Sequence, residues 1–162
     1  MSFRTGIGFD VHPFQKGRKL ILGGVEVPFR EGLAGHSDAD VLVHAMCDAL
    51  LGAAALGDIG NHFPDTDERY KNISSLILLQ KVNTMIRAAG YQIGNVDTVI
   101  IAEKPKLATF IPEMRKKIAT TLNIPISRVS VKATTTEHLG FTGKGEGMAA
   151  MAIVLLESDF AS

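Results

Sequence analysis

VDTVIIAEKPKLATFIPEMRKKIATTLNIPISRVSVKATT, residues 96–135, reads as a strand, a helix and a second strand. The apolar run VDTVIIA (96–102) predicts a buried strand. Pro112 suits the first turn of a helix whose inward stripe is Ile111, Met114, Ile118 and Leu122. VSVKATT (129–135) alternates, with Val129, Val131 and Ala133 on one face and Ser130, Lys132 and Thr134 on the other. Upstream, residues 3–14 predict a strand, and KLILGGVEVPF a pair of short strands turning at Gly23-Gly24. A helix is expected from Asp38 to Leu56, capped by Ser37 or Asp38 and stopped by Gly57, with Leu42, Ala45, Met46, Ala49 and Ala53 at helical spacing. DIGNHFPDTD (58–67) reads as a polar loop, and Ser74 to Ala89 as a helix with Leu79, Val82, Ile86 and Ala89 on one side. MAAMAIVLL (148–156) is the last strand. Elements in this order predict an α+β fold, a mixed β-sheet with helices packed on one face.

The 162 residues suffice for one domain with a real core, and no low-complexity segment, repeat or composition shift divides them. A single domain over 1–162 is expected. Lysine plus arginine and aspartate plus glutamate are 17 each, so no global field favours nucleic acid or an anionic membrane, and any anion site is local. The one cysteine, Cys47, excludes an intramolecular disulfide and fits a reducing compartment. With neither a signal peptide nor a run long enough to span a bilayer, a cytoplasmic protein is expected.

Polar residues gather in three places. In GFDVHPF (8–14), Asp10 and His12 lie two apart, so a strand puts both on one face, about 7 Å apart along the chain. They could converge on a cation or form a solvated Asp–His pair. In HSDADVLVHAMCDALLG (36–52), Asp40, His44 and Asp48 recur every four residues and share a helix face that is not the apolar one. That face is either hydrated or carries His44 to the same metal, with Asp40 or Asp48 orienting the histidine from behind. An Asp-His-His set suits zinc or a similar divalent ion and leaves a position open, as catalytic sites do. In KATTTEHLGFTGKGEG (132–147), threonine hydroxyls, the Glu137 carboxylate and glycine amides suit an anion and a hard cation; a threonine-rich strand end running into a turn is the alternative. Asp58, Asp65 and Asp67 add acceptors for sugar hydroxyls or solvent. Together these residues point to metal-assisted phosphate chemistry without a nucleophilic cysteine or serine triad.

GFDVH, GHSDADVLVHAMCDALLGAAALGDIGNHFPDTD and KATTTEHLGFTGKGEG, in this order and at these intervals, resemble the 2-C-methyl-D-erythritol 2,4-cyclodiphosphate synthase family over residues 6 to about 156. The resemblance implies a homotrimer with active sites at subunit interfaces, acting in the non-mevalonate isoprenoid pathway. It implies that the 2-phosphate of 4-diphosphocytidyl-2-C-methyl-D-erythritol 2-phosphate attacks the β-phosphorus of its own diphosphate and CMP leaves. It assigns zinc to Asp10, His12 and His44, and a second cation, Mg²⁺ or Mn²⁺, to Glu137. His36 and Thr135 are implied to stabilise the transition state, His36 and Ser37 to touch the phosphates, and Asp58, Gly60 and Asp65 to hold the erythritol and sugar hydroxyls. AEKPKLA (102–108) falls where the family's backbone reads cytosine, which brings in Ala102, Lys106 and Leu107; Thr134, Thr136, Phe141 and Lys144 complete the implied substrate contacts. Many members carry arginine at Lys144. Lysine keeps the charge and loses the bidentate fork, so weak binding of an isoprenoid diphosphate in a central trimer cavity is expected. A zinc phosphohydrolase, using Asp48 or His36 as base, and a trimeric metal-binding module without catalysis are the competing readings.

Overall fold

The computed structural model describes residues 2–158; residue 1 and residues 159–162, the two ends of the expected domain, lie outside it. Five strands form one sheet in the order β4-β1-β7-β5-β6, from β1 (Ser2–Lys16), β4 (Glu31–Leu33), β5 (Gln92–Ile101), β6 (Val129–Thr134) and β7 (Gly147–Ser158). β1 and β7 pair antiparallel from Ser2↔Ser158 to Pro13↔Gly147, and β5 joins β7 antiparallel on the other side. The opening stretch supplies the parallel pair: β5 and β6 run side by side from Val96↔Val129 to Ile101↔Thr134, joined through α4 (Ile111–Leu122). The sheet is therefore mixed, as expected. β2 (Leu20–Leu22) and β3 (Val25–Val27) make a separate hairpin, with Gly23 and Gly24 at φ +56° and +73°, the left-handed values a tight turn requires. Among the described residues no helix is long and apolar enough to cross a membrane.

α1 (Val41–Ala53) lies directly on β1, β7 and β5, and α3 (Ser75–Ala88) covers its outer side. It is consequently buried over most of its circumference, and the residues left partly open, His44, Asp48 and Gly52, fall on one four-residue row, the polar face its spacing suggested. Two glycines set the approach. A Cβ at Gly6 would stand 2.0 Å from the Ala49 carbonyl oxygen, and one at Gly8 would stand 1.9 Å from that of Ala45. Small residues on both surfaces bring helix and strand together.

The ends of α1 differ from expectation. Ala39 is left-handed (φ +58°), so helical hydrogen bonding begins only after it, and the cap is Asp40 instead of Ser37 or Asp38. Asp40 is completely buried and accepts from Val43 N, Gly23 N (3.0 Å) and Gly24 N (2.7 Å), tying the hairpin to the helix. Burial first, and the neighbouring Asp38 charge second, push its carboxyl up to about 6. At the other end Ala55, not Gly57, takes the left-handed position (φ +58°), with Ala55 N bonded to Gly52 O and Leu56 N to Leu51 O.

Two further differences concern exposure and the loop. Residues 96–101 alternate, Val96, Thr98 and Ile100 facing the helices while Asp97, Val99 and Ile101 are half-exposed. The sheet face they share is uncovered: Ile7, Phe9 and Ile153 are 64%, 54% and 52% exposed. The segment 58–67 contains a short helix, α2 (Ile59–His62), capped by Asp58 through Asn61 N.

Candidate metal centre

Even-numbered residues of β1 face α1, so the strand that brings Gly6 and Gly8 against the helix carries Asp10 and His12 onto the same side. His44, next to the Ala45 that Gly8 touches, comes down to meet them. His12 Nε2 is 2.9 Å from Asp10 Oδ2, His44 Nδ1 is 3.2 Å from the same oxygen, and the two nitrogens are 3.1 Å apart. Tetrahedral zinc with bonds of 2.0–2.2 Å holds its ligand atoms about 3.3–3.6 Å apart, a few tenths of an ångström wider than this cluster. The donor set and its spacing thus fit a divalent ion, and these three residues could hold one.

The electrostatics agree. Burial alone would raise the Asp10 carboxyl, but hydrogen bonds and charge from His12 and His44 outweigh it and hold it at about 2. Burial would lower the His12 imidazole; its hydrogen bond to Asp10, the Asp10 charge and a backbone hydrogen bond at Ala34 raise it instead. Asp10 is thereby kept as the carboxylate, its ligand form, and His12 as a stronger base, for whose lone pair a metal competes with a proton.

The side of His44 away from Asp10 faces two hydroxyls, with Nε2 at 2.9 Å from Ser75 Oγ and 3.0 Å from Ser37 Oγ. Arg18 donates to Gly35 O (2.7 Å) and Ser37 O (2.6 Å), fixing the loop before α1. His36 is held through Nε2 by Asp67 O at 3.0 Å. His12, His36, Ser37, His44, Gly60 and Asp65 all line one pocket of about 420 Å³. Asp58 is taken up in capping α2. Neither Asp40 nor Asp48 orients His44: Asp40 caps α1, and Asp48 accepts from Ile59 N at 2.8 Å.

The threonine-rich segment is elsewhere. Asp10, Ala150, Ile100 and Ala133 form one row across the sheet, so Thr134–Glu137 lie at the same sheet end as the metal residues. They are three strand spacings away, roughly 14 Å. Ala102 bonds Thr134 O through its N–H (3.0 Å), and Thr135 Oγ1 donates to Glu137 Oε1 (2.9 Å). Glu137 and His138 are both left-handed (φ +53° and +64°). The Glu103 carboxylate accepts Thr136 N and His138 N, which pins the turn. Phe141 and Lys144 are exposed just beyond it, and Leu107 is buried.

The YgbB family profile matches residues 3–157, nearly the whole length. The chain belongs to the YgbB family. A protein of Syntrophobacter fumaroxidans named 2-C-methyl-D-erythritol 2,4-cyclodiphosphate synthase is 60% identical over 156 residues, covering 96% of this chain and 98% of that relative. One of the same name from Chlorobium phaeobacteroides is 62% identical over 154 residues, covering 95% and 97%. Among solved structures, the Plasmodium falciparum IspF in its CDP complex superposes with a TM-score of 0.86 at 34% identity, covering 98% of each chain. The bifunctional IspDF of Campylobacter jejuni gives 0.94 at 47% identity; this chain spans 97% of its own length and 42% of that one.

Within this YgbB chain, the structure joins Asp10, His12, His44, His36, Ser37, Gly60 and Asp65, and leaves Ala102, Thr134, Thr135, Thr136 and Glu137 as a second group. Sequence reasoning missed Ser75, Asp38, Arg18 and Glu103 as parts of the site. Ser75 sits at the start of α3, where serine ordinarily signals a cap, and Arg18 and Glu103 act through main-chain groups that no motif announces.

Proposed function

We propose that the chain is a metal-dependent cyclising enzyme that converts 4-diphosphocytidyl-2-C-methyl-D-erythritol 2-phosphate to 2-C-methyl-D-erythritol 2,4-cyclodiphosphate and CMP, in the non-mevalonate isoprenoid pathway. The convergence of Asp10, His12 and His44, the two histidines in the wall of a pocket, in a chain with full-length relatives of that name, carries the reading. An oxygen of the 2-phosphate attacks the β-phosphorus, the bond from that phosphorus to the bridging oxygen breaks, and the electron pair leaves on CMP. Asp10, His12 and His44 would hold zinc, and Glu137 Mg²⁺ or Mn²⁺; a bound cation neutralises phosphoryl charge as it develops. His36 and Ser37 face the pocket as phosphate contacts, and His36 with Thr135 stabilises the transition state. Gly60 and Asp65, with Asp58 beside them, hold hydroxyls of the erythritol or ribose. Ala102, Lys106 and Leu107, with Thr134, Thr136, Phe141 and Lys144, bind the cytidine diphosphate end. Lys144 in place of arginine makes isoprenoid diphosphate binding weak.

The reading requires a homotrimer of single-domain copies, in which the second group of one copy completes the metal pocket of another. Two observations support it: the roughly 14 Å between the groups within one chain, and the uncovered apolar face around Ile7, Phe9 and Ile153. The lone, buried Cys47 suits a cytoplasmic setting.

The deciding experiment supplies the diphosphocytidyl substrate and follows CMP and cyclic diphosphate, before and after chelation and zinc return. CMP and cyclic product in equal amounts, lost on chelation and restored by zinc, are expected; inorganic phosphate in their place would identify a phosphohydrolase. Ile7→Lys places a charge on the uncovered face. It is expected to shift the trimer seen by sedimentation to monomer and remove CMP release while retaining zinc, because all three zinc residues belong to one chain. A trimeric, active Ile7→Lys variant contradicts the assembly.

A further inference from the structure

We infer that Asp38 and Ser75 form a hydrogen-bonded relay that holds His44 as its Nε2–H tautomer, turning the Nδ1 lone pair toward Asp10 and His12. Ser75 is thereby a positioning residue of the metal centre; the inference rests on the metal reading above. Ser75 is fully buried at the start of α3 and has one hydroxyl proton. That proton is donated to Asp38 Oδ1, while Ser75 N donates to Asp38 Oδ2 at 3.0 Å. The hydroxyl therefore presents only lone pairs to His44 Nε2, 2.9 Å away, and the contact is a hydrogen bond only if Nε2 carries the proton. A neutral imidazole has one N–H, so with the proton on Nε2 the Nδ1 lone pair shares with Asp10 Oδ2 (3.2 Å) and His12 Nε2 (3.1 Å) the place a cation would take, while in the metal-free chain Asp10 competes to draw the proton to Nδ1.

The relay is itself anchored. Asp38 N donates to Ile73 O (3.0 Å), and Asp40 N donates to Asp38 Oδ1 (3.2 Å). Its carboxylate charge makes Ser75 Oγ a better acceptor and, through it, His44 Nδ1 a stronger ligand. Ser37 is a different case. Its Oγ also approaches Nε2 (3.0 Å), but it accepts Ala39 N, lines the pocket and has no carboxylate holding its proton. Ser37 can turn that proton to a ligand oxygen; Ser75 cannot. One serine serves the substrate side and the other the metal side.

Zinc affinity measured by competition with a chromophoric chelator, together with NMR of the ring nitrogens, tests the relay. In the zinc-loaded wild type, the expected signature is a slowly exchanging proton on His44 Nε2. Ser75→Ala should weaken zinc binding 10–100-fold, the range for loss of a partner behind a metal ligand, and speed exchange of that proton. Asp38→Asn keeps an acceptor for the serine hydroxyl and removes the charge, so a smaller, several-fold loss is expected. Unchanged zinc affinity in a folded Ser75→Ala chain, or a proton on His44 Nδ1, overturns the relay. If Ser75→Ala does not fold, Asp38→Asn and the wild-type spectrum decide. If the wild type takes up no zinc, the metal reading falls by itself. The tautomer of His44 in a metal-free Asp10→Ala chain, where no carboxylate competes for the Nδ1 proton, then still decides the relay, Nε2–H supporting it and Nδ1–H refuting it.

Discussion

His44→Ala is expected to lower CMP release by about 10³-fold or more and to remove zinc from the purified chain. The magnitude follows from the several kcal/mol that a bound cation contributes to phosphoryl charge stabilisation, each 1.36 kcal/mol being about tenfold in rate. Loss of His44 leaves a carboxylate and one imidazole, too few to hold a divalent ion tightly at a site with an open position. His44 is the right residue to remove because it is the only member on α1; the strand pair Asp10 and His12 stays in place. Metal content by elemental analysis and turnover are read on the same preparation. Normal turnover with zinc absent would separate the reaction from the triad and sink the proposed mechanism.

Gly8→Ala is expected to destabilise the chain by about 3 kcal/mol, the upper part of the overpacking range. The added Cβ would stand 1.9 Å from Ala45 O and 2.8 Å from Ala49 N, and both are backbone atoms of a helix already covered by α3. No side-chain rotation can relieve that, so α1 must lift. His44 adjoins Ala45, and lifting α1 draws it from Asp10 and His12; weaker zinc binding should accompany the lower melting temperature. Gly52→Ala supplies the contrast on the same helix. A Cβ there meets nothing within 4 Å, so a gain of about 0.5–1 kcal/mol from helix propensity is expected. Equal melting temperatures for Gly8→Ala and wild type would show that the close approach is not what positions the metal residues.

Much of this was legible locally. Asp10 and His12 share a face because a strand alternates, and the 111–122 stripe buries Met114, Ile118 and Leu122 because a helix repeats. The strand–helix–strand order around it predicted the mixed sheet that the β5–β6 pairing completes. Periodicity also placed His44 and Asp48 on the one row of α1 that sheet and α3 leave partly open. It misplaced Asp40: four-residue spacing aligned it with His44, but a left-handed Ala39 made it the buried cap. Backbone conformation of that kind has no signature in an alanine.

The amino-acid sequence by itself determined the types of the longer elements, the mixed α+β class and the candidate metal residues, because strand and helix periods act over a few neighbouring residues; the short β4 and α2 carry no such period. Tertiary structure decided what those residues meet. Only the Gly6–Gly8 approach brings His44 to the strand, only the start of α3 places Ser75 behind it, and only the strand order sets Glu137 three strands from the triad. Such contacts join positions 31 or more residues apart, for example His12 with His44 and His44 with Ser75. A periodicity repeats over a handful of positions, whereas packing selects its partners from the whole chain.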